Sequence, residues 1–62
     1  MNRRKFERWL REHGATFVRH GSRHDLWHRE DREATVPRHR EIKTGTANAI
    51  CDQLRIARPP ER

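Results

Sequence analysis

The chain has 62 residues, of which 31% are apolar and 39% charged, so it is expected to form one domain over residues 1–62 with a small core and an ionic surface. Fifteen Lys and Arg against nine Asp and Glu give a formal charge of +6, the balance of a chain that meets a polyanion. One cysteine, Cys51, excludes an intramolecular disulfide and a cysteine-built zinc site, and no apolar run approaches the roughly 18 residues of a membrane span.

Phe6, Trp9 and Leu10 recur at i, i+3 and i+4 with charged residues between them, which predicts a one-sided helix from about residue 3 to His13. Gly14 supplies the left-handed position that ends it, and His13 is expected to interact with the last carbonyls. From Ala15 to Val36 the pattern changes to short stretches rich in Thr, Val, Phe and Trp, broken at Gly21-Ser22 and around Glu30-Asp31. That predicts three antiparallel strands.

Gly-Ser fits a two-residue hairpin loop with Gly at the first central position, where φ is positive. The register that follows sets His20 against Arg23, Arg19 against His24 and Phe17 against Leu26, with Val18 and Trp27 on the other face. Pro37 cannot donate to a ladder and closes the third strand. Arg38 to Lys43 then form a basic connector, and Thr44 or Thr46 is expected to cap a last helix. Ala47, Ile50, Cys51 and Leu54 mark its buried stripe, with Cys51 as a small apolar residue. Pro59-Pro60 forbids any longer helix. The predicted fold class is α+β, in the order α-β-β-β-α, with two helices on one face of a three-stranded antiparallel sheet.

The charge is uneven: through His24 there are seven basic residues and two acidic ones. Arginine dominates, and its planar fork suits bidentate phosphate contacts. A solvated arginine-rich surface is the plainer reading of the same composition. Among five histidines, His24 stands apart because a strand holds it just past the turn, with Arg19 across from it and Arg23 beside it. An imidazole there can take a proton from a ribose 2′-hydroxyl while arginines stabilise charge on the phosphoryl oxygens. His20 and His28 read as exposed turn or strand residues, and His39 as either an RNA contact or a solvated side chain. A metal site is disfavoured: four residues along a strand span about 13 Å, too far for His24 and His28 to share an ion, and His20 points away from His24. A catalytic RNA site, a non-catalytic basic RNA-binding module and a basic scaffold for a protein partner all remain open at this level.

Three segments carry a resemblance: FERWLREHG on the first helix, GSRH running into DLW at the turn, and TVPRHREIKTGTANAICDQL from the third strand into the last helix. Together they resemble the HicA family of bacterial toxins, the messenger-RNA interferases of type II toxin–antitoxin systems, over roughly Lys5 to Ile56. The resemblance implies a fold similar to a double-stranded-RNA-binding domain. It also implies a metal-independent endoribonuclease with no cofactor and with one histidine after the Gly-Ser turn as the catalytic residue, which is His24 in this sequence. RNA contacts are expected from Arg19, Ser22, Arg23, Arg38, His39 and Lys43. The V-P-x-H connector of the family is present as Val36-Pro37-Arg38-His39, with no catalytic role implied for His39. Also implied are a HicB antitoxin as inhibitor and a monomer when free that becomes a hetero-oligomer with the antitoxin. The cytoplasm, with no membrane association, is the location expected from the lack of a membrane-length apolar run and from the amphipathic stretch, rather than a signal-peptide core, that follows Met1-Asn2-Arg3-Arg4. Where many relatives have Leu-Gly-Ile, this chain has Leu54-Arg55-Ile56. A left-handed arginine would cost about 1 kcal/mol, so the last helix is expected to continue one residue further.

Overall fold

The computed structural model describes residues 1–60; the last two positions of the expected domain lie outside the described residues. Helix α1 spans Arg3–Glu12, strands β1, β2 and β3 span Thr16–His20, His24–Arg29 and Arg32–Pro37, and helix α2 spans Thr44–Leu54. The three strands form an antiparallel sheet in the order β1-β2-β3. This is the α-β-β-β-α arrangement that the periodicities predict.

Alternation along β2 and β3 decides which face of the sheet is covered. Asp25 and Trp27 on β2 and Ala34 and Val36 on β3 are buried, whereas His24, Glu33 and Thr35 between them are exposed. The buried face meets Phe6 and Leu10 of α1 and Ala47, Ile50, Cys51 and Leu54 of α2 in a single apolar cluster. Both helices therefore lie on one side, and the other side of the sheet is open. Trp27 is the largest side chain fully enclosed; Arg11 lies over its ring at 5.2 Å and Phe17 meets it edge-on at 6.0 Å.

Helix α1 starts at Asn2, whose Oδ1 accepts from the Arg4 and Lys5 amides at 2.8 and 3.4 Å. It ends at His13, whose ring Nδ1 lies 2.8 Å from the Trp9 carbonyl, and Gly14 follows with φ +92°. Helix α2 ends differently from expectation. Arg55 does not extend it but adopts the left-handed conformation, φ 60° and ψ 43°, with its amide and that of Ile56 returning to the carbonyls of Asp52 and Cys51. Arg29 reaches over from β2 and donates to the Leu54 carbonyl at 3.2 Å, which satisfies an otherwise open helix end. Burial, with a push from Asp52, raises the Cys51 thiol to about 11, so this cysteine stays protonated within the core.

The β1–β2 hairpin departs from the expected register. Phe17 pairs with Trp27 rather than with Leu26, and a bulge at Val18 then shifts the ladder so that Arg19 pairs with Leu26 and His20 with Asp25. Arg19 does not stand opposite His24, nor His20 opposite Arg23. The turn is also one residue later: the Gly21 amide donates to the His24 carbonyl at 2.6 Å, leaving Ser22 and Arg23 at the tip. Gly21 has no positive φ; it is needed because a Cβ there would sit 2.7 Å from the His24 carbonyl oxygen. Glycine at this position serves a close approach instead of a type II′ corner.

Candidate RNA-facing site around His24

The bulge at Val18 sets the composition of the open face. One extra residue in β1 reverses which side chains point outward, so Arg19 shares the open face with Leu26 and His24, while His20 turns to the helix side and meets Asp25. His20 Nδ1 lies 2.7 Å from Asp25 Oδ1. His20 and His24 thus point to opposite faces and do not converge on one ion or one phosphate. Among the described residues no three of His, Cys, Asp and Glu gather into a metal-binding group.

His24 is exposed and stands at the junction of two depressions. One, of about 210 Å³, is lined by Arg19, Gly21, Ser22, Arg23, His24, Leu26 and Thr35. The second, of about 430 Å³, runs from His24 past Thr35, Pro37 and His39 to Lys43 and Thr46. Five of the six expected RNA contacts, Arg19, Ser22, Arg23, His39 and Lys43, therefore line the two depressions that share His24. The first depression has no carboxylate in its wall, and Glu41 is the single one in the second.

Arg38, the sixth, is placed differently. Its guanidinium donates to the Gly21 carbonyl at 2.9 Å, to the Ser22 carbonyl at 2.6 Å and to Asp25 Oδ1 at 3.3 Å. It clamps the turn that leads into His24 from the side away from the open face. Burial alone would push the Asp25 carboxyl up, but the hydrogen bond and charge of His20, joined by those of Arg38, reverse this and leave it below its ordinary value. Asp25 is 5% exposed and is the only buried charged residue among those described. The histidine that Asp25 holds is His20, not His24. The Arg38 bonds to backbone carbonyls 17 and 16 positions away carry no local sequence signal.

The start of α2 adds a further feature to the second depression. No threonine caps it: the cap position is Lys43, without a side-chain hydrogen bond, and Thr44 and Thr46 lie inside the helix. The Thr44, Gly45 and Thr46 amides have no acceptor among the described residues. Uncapped amides and the positive end of the helix dipole favour an anion at this end.

A family model for the HicA toxin of bacterial toxin–antitoxin systems matches residues 3–56. The chain belongs to the HicA toxin family. The match spans both helices, the whole sheet and every residue lining the two depressions. A HicA toxin is the toxin component of its system, and the family in general implies a cognate antitoxin and an RNA target. Neither the curated proteins nor the solved structures give a significant match. No helix among the described residues is long and apolar enough to cross a membrane.

Proposed function

We propose that the chain is a metal-independent endoribonuclease that cleaves messenger RNA, with His24 as general base and then general acid. The observation that carries this reading is the position of His24, on the open sheet face at the junction of two depressions with Arg19 and Arg23 on one side and His39, Lys43 and the uncapped start of α2 on the other. A scissile phosphate seated over His24 meets cations from both sides, where they stabilise the charge that grows on the phosphoryl oxygens.

Neutral His24 takes the proton of the ribose 2′-hydroxyl. The 2′-oxygen then forms a bond to phosphorus as the bond from phosphorus to the 5′-oxygen breaks. The imidazolium returns its proton to that leaving oxygen, so one residue closes the proton cycle and the RNA ends in a 2′,3′-cyclic phosphate and a 5′-hydroxyl. Arg19 and Arg23 are the candidate phosphate contacts, Ser22 a hydroxyl donor at the tip, and His39 and Lys43 contacts to a neighbouring phosphate. Arg38 acts indirectly by holding the turn. Replacing the ribose at the cleaved position by deoxyribose tests the chemistry: cleavage there should stop while cleavage at other ribose positions persists, and continued cleavage at the deoxy position contradicts it.

The partner in this reading is a HicB antitoxin that covers the His24 face, in the cytoplasm, converting a free monomer into a hetero-oligomer. A formal charge of +6 steers an acidic inhibitor toward this surface, and binding adds stability to a domain with a small core by mass action. Expression without the neighbouring antitoxin gene should arrest growth. Binding of RNA that is recovered intact from the purified chain is the result expected of a non-catalytic module instead.

A further inference from the structure

The first turn of α1 carries Arg3, Arg4 and Lys5 and no acidic residue, although the positive end of a helix dipole favours anionic side chains. The connector from β3 to α2 adds to this charge. Asn2 bridges Glu41, the Arg3 amide donates to the Arg40 carbonyl at 2.9 Å, and Arg3 Nη1 donates to the Arg38 carbonyl at 2.7 Å. Four arginines, Arg3, Arg4, Arg38 and Arg40, are thereby brought together with Asn2 around a groove of about 720 Å³ that has no carboxylate in its wall. Arg3 has Glu7 at 3.6 Å and Arg38 has Asp25, but Arg4 and Arg40 are exposed and make no ion pair among the described residues.

Packing like charges this way destabilises the free chain, and an anion between them removes the repulsion. The helix amides do not supply the binding groups, because the first four of α1 are already taken up by Asn2 and by the Arg40 carbonyl. Only the guanidinium forks are left to face a ligand. The groove also adjoins the His24 face: Arg38 lines it and grips the carbonyls of Gly21 and Ser22, the two residues that line the smaller depression from the other side. The whole molecule measures 28 Å in its longest direction, about eight phosphates at the roughly 3.4 Å rise of a stacked strand.

We propose that this groove is a second phosphate site, occupied by the backbone of the same RNA a few nucleotides from the scissile bond. The proposal rests on the ribonuclease reading for the identity of the polyanion, and Arg4 and Arg40 are its two uncommitted ligands. It is a backbone site, without base recognition, since guanidinium forks on phosphate carry no sequence information.

The test uses the double variant Arg4→Gln with Arg40→Gln, made in the parent and in a His24→Ala chain, and a fluorescein-labelled single-stranded RNA long enough to span both sites. In the His24→Ala chain the double change should weaken binding about tenfold and reduce the slope of log affinity against log salt by about 1.4, the value for two phosphate contacts on a single strand. Thermal unfolding should stay the same or move upward, because repulsion is relieved. With His24 present, KM for the long RNA should rise by a similar factor.

Unchanged affinity and salt slope, alongside His24-dependent cleavage by the parent, overturn the groove and leave the nuclease reading standing. Weakened binding in the double variant supports the groove even where the parent cleaves nothing, an outcome that sinks the nuclease reading alone. Loss of polyglutamate binding with RNA binding intact assigns the groove to an acidic protein segment and also overturns the proposal.

Discussion

Arg38 Nη2 lies 2.6 Å from the carbonyl oxygen of Ser22, and Nη1 of the same guanidinium lies 2.9 Å from that of Gly21. One planar fork from the connector thus fixes two consecutive peptide groups of the turn that precedes His24. A lysine keeps the charge but offers no fork, so it cannot hold both carbonyls in plane.

The first prediction follows from that fork. Arg38→Lys should lower kcat about 100-fold, the usual effect of displacing a reacting group by an ångström, while RNA affinity measured in the His24→Ala background falls little. Steady-state kinetics beside equilibrium binding checks it. An unchanged kcat would mean that the turn keeps its shape without the clamp.

Asp25 makes the second. Its carboxyl titrates below its ordinary value of 3.8 in the folded chain because His20 and Arg38 outweigh its burial. A group depressed in this way contributes stability that is complete above its unfolded pKa and is lost as pH falls through its folded one. Unfolding midpoints measured between neutrality and strong acid should therefore drop below about pH 4, and Asp25→Asn should flatten that part of the curve. At neutral pH the same change should cost about 1.5–3 kcal/mol, the range for hydrogen bonds to charged groups.

A third concerns the end of α2. Arg55 is left-handed at φ 60°, a conformation that costs a residue with a Cβ about 1 kcal/mol relative to glycine. Arg55→Gly should raise stability by about that amount, read from denaturant midpoints at constant slope. A loss of stability would show that the arginine side chain contributes more than its backbone strain costs.

These residues also show what the sequence reveals and what it conceals. Phe6 and Leu10, and Ala47, Ile50, Cys51 and Leu54, announce their helices because a buried stripe must repeat with the helical period. Gly14 announces its turn. The bulge at Val18 has no such signal, since neither glycine nor proline marks it, and it moved Phe17 from the expected open face to the side of Trp27. Arg19 nevertheless shares the face of His24, because a turn one residue later shifts the pairing beside it by two, which restores the face, and the bulge alters only the pairing beyond it.

Gly21 and Arg55 depart from expectation for a related reason: in a sequence, glycine signals positive φ and its absence argues against it, and neither signal holds here. Gly21 is required by the nearness of the His24 carbonyl. Arg55 takes the left-handed position because the two returning amides and Arg29 hold the helix end. Of the site, His24 and its flanking cations were legible because turn and strand are adjacent in sequence. The Arg38 clamp and the arginine groove were not, since both depend on the connector running beside the turn and α1.

The central claim, that His24 performs the chemistry, is tested most directly by comparing the parent with His24→Ala on the same RNA, with cleavage and binding measured side by side and chelator present throughout. His24 is exposed and outside the apolar cluster, so the variant should fold as the parent does. The account predicts that cleavage falls by about 100-fold or more, that affinity for intact RNA is retained, and that chelator changes neither. Cleavage by His24→Ala at the rate of the parent would contradict it.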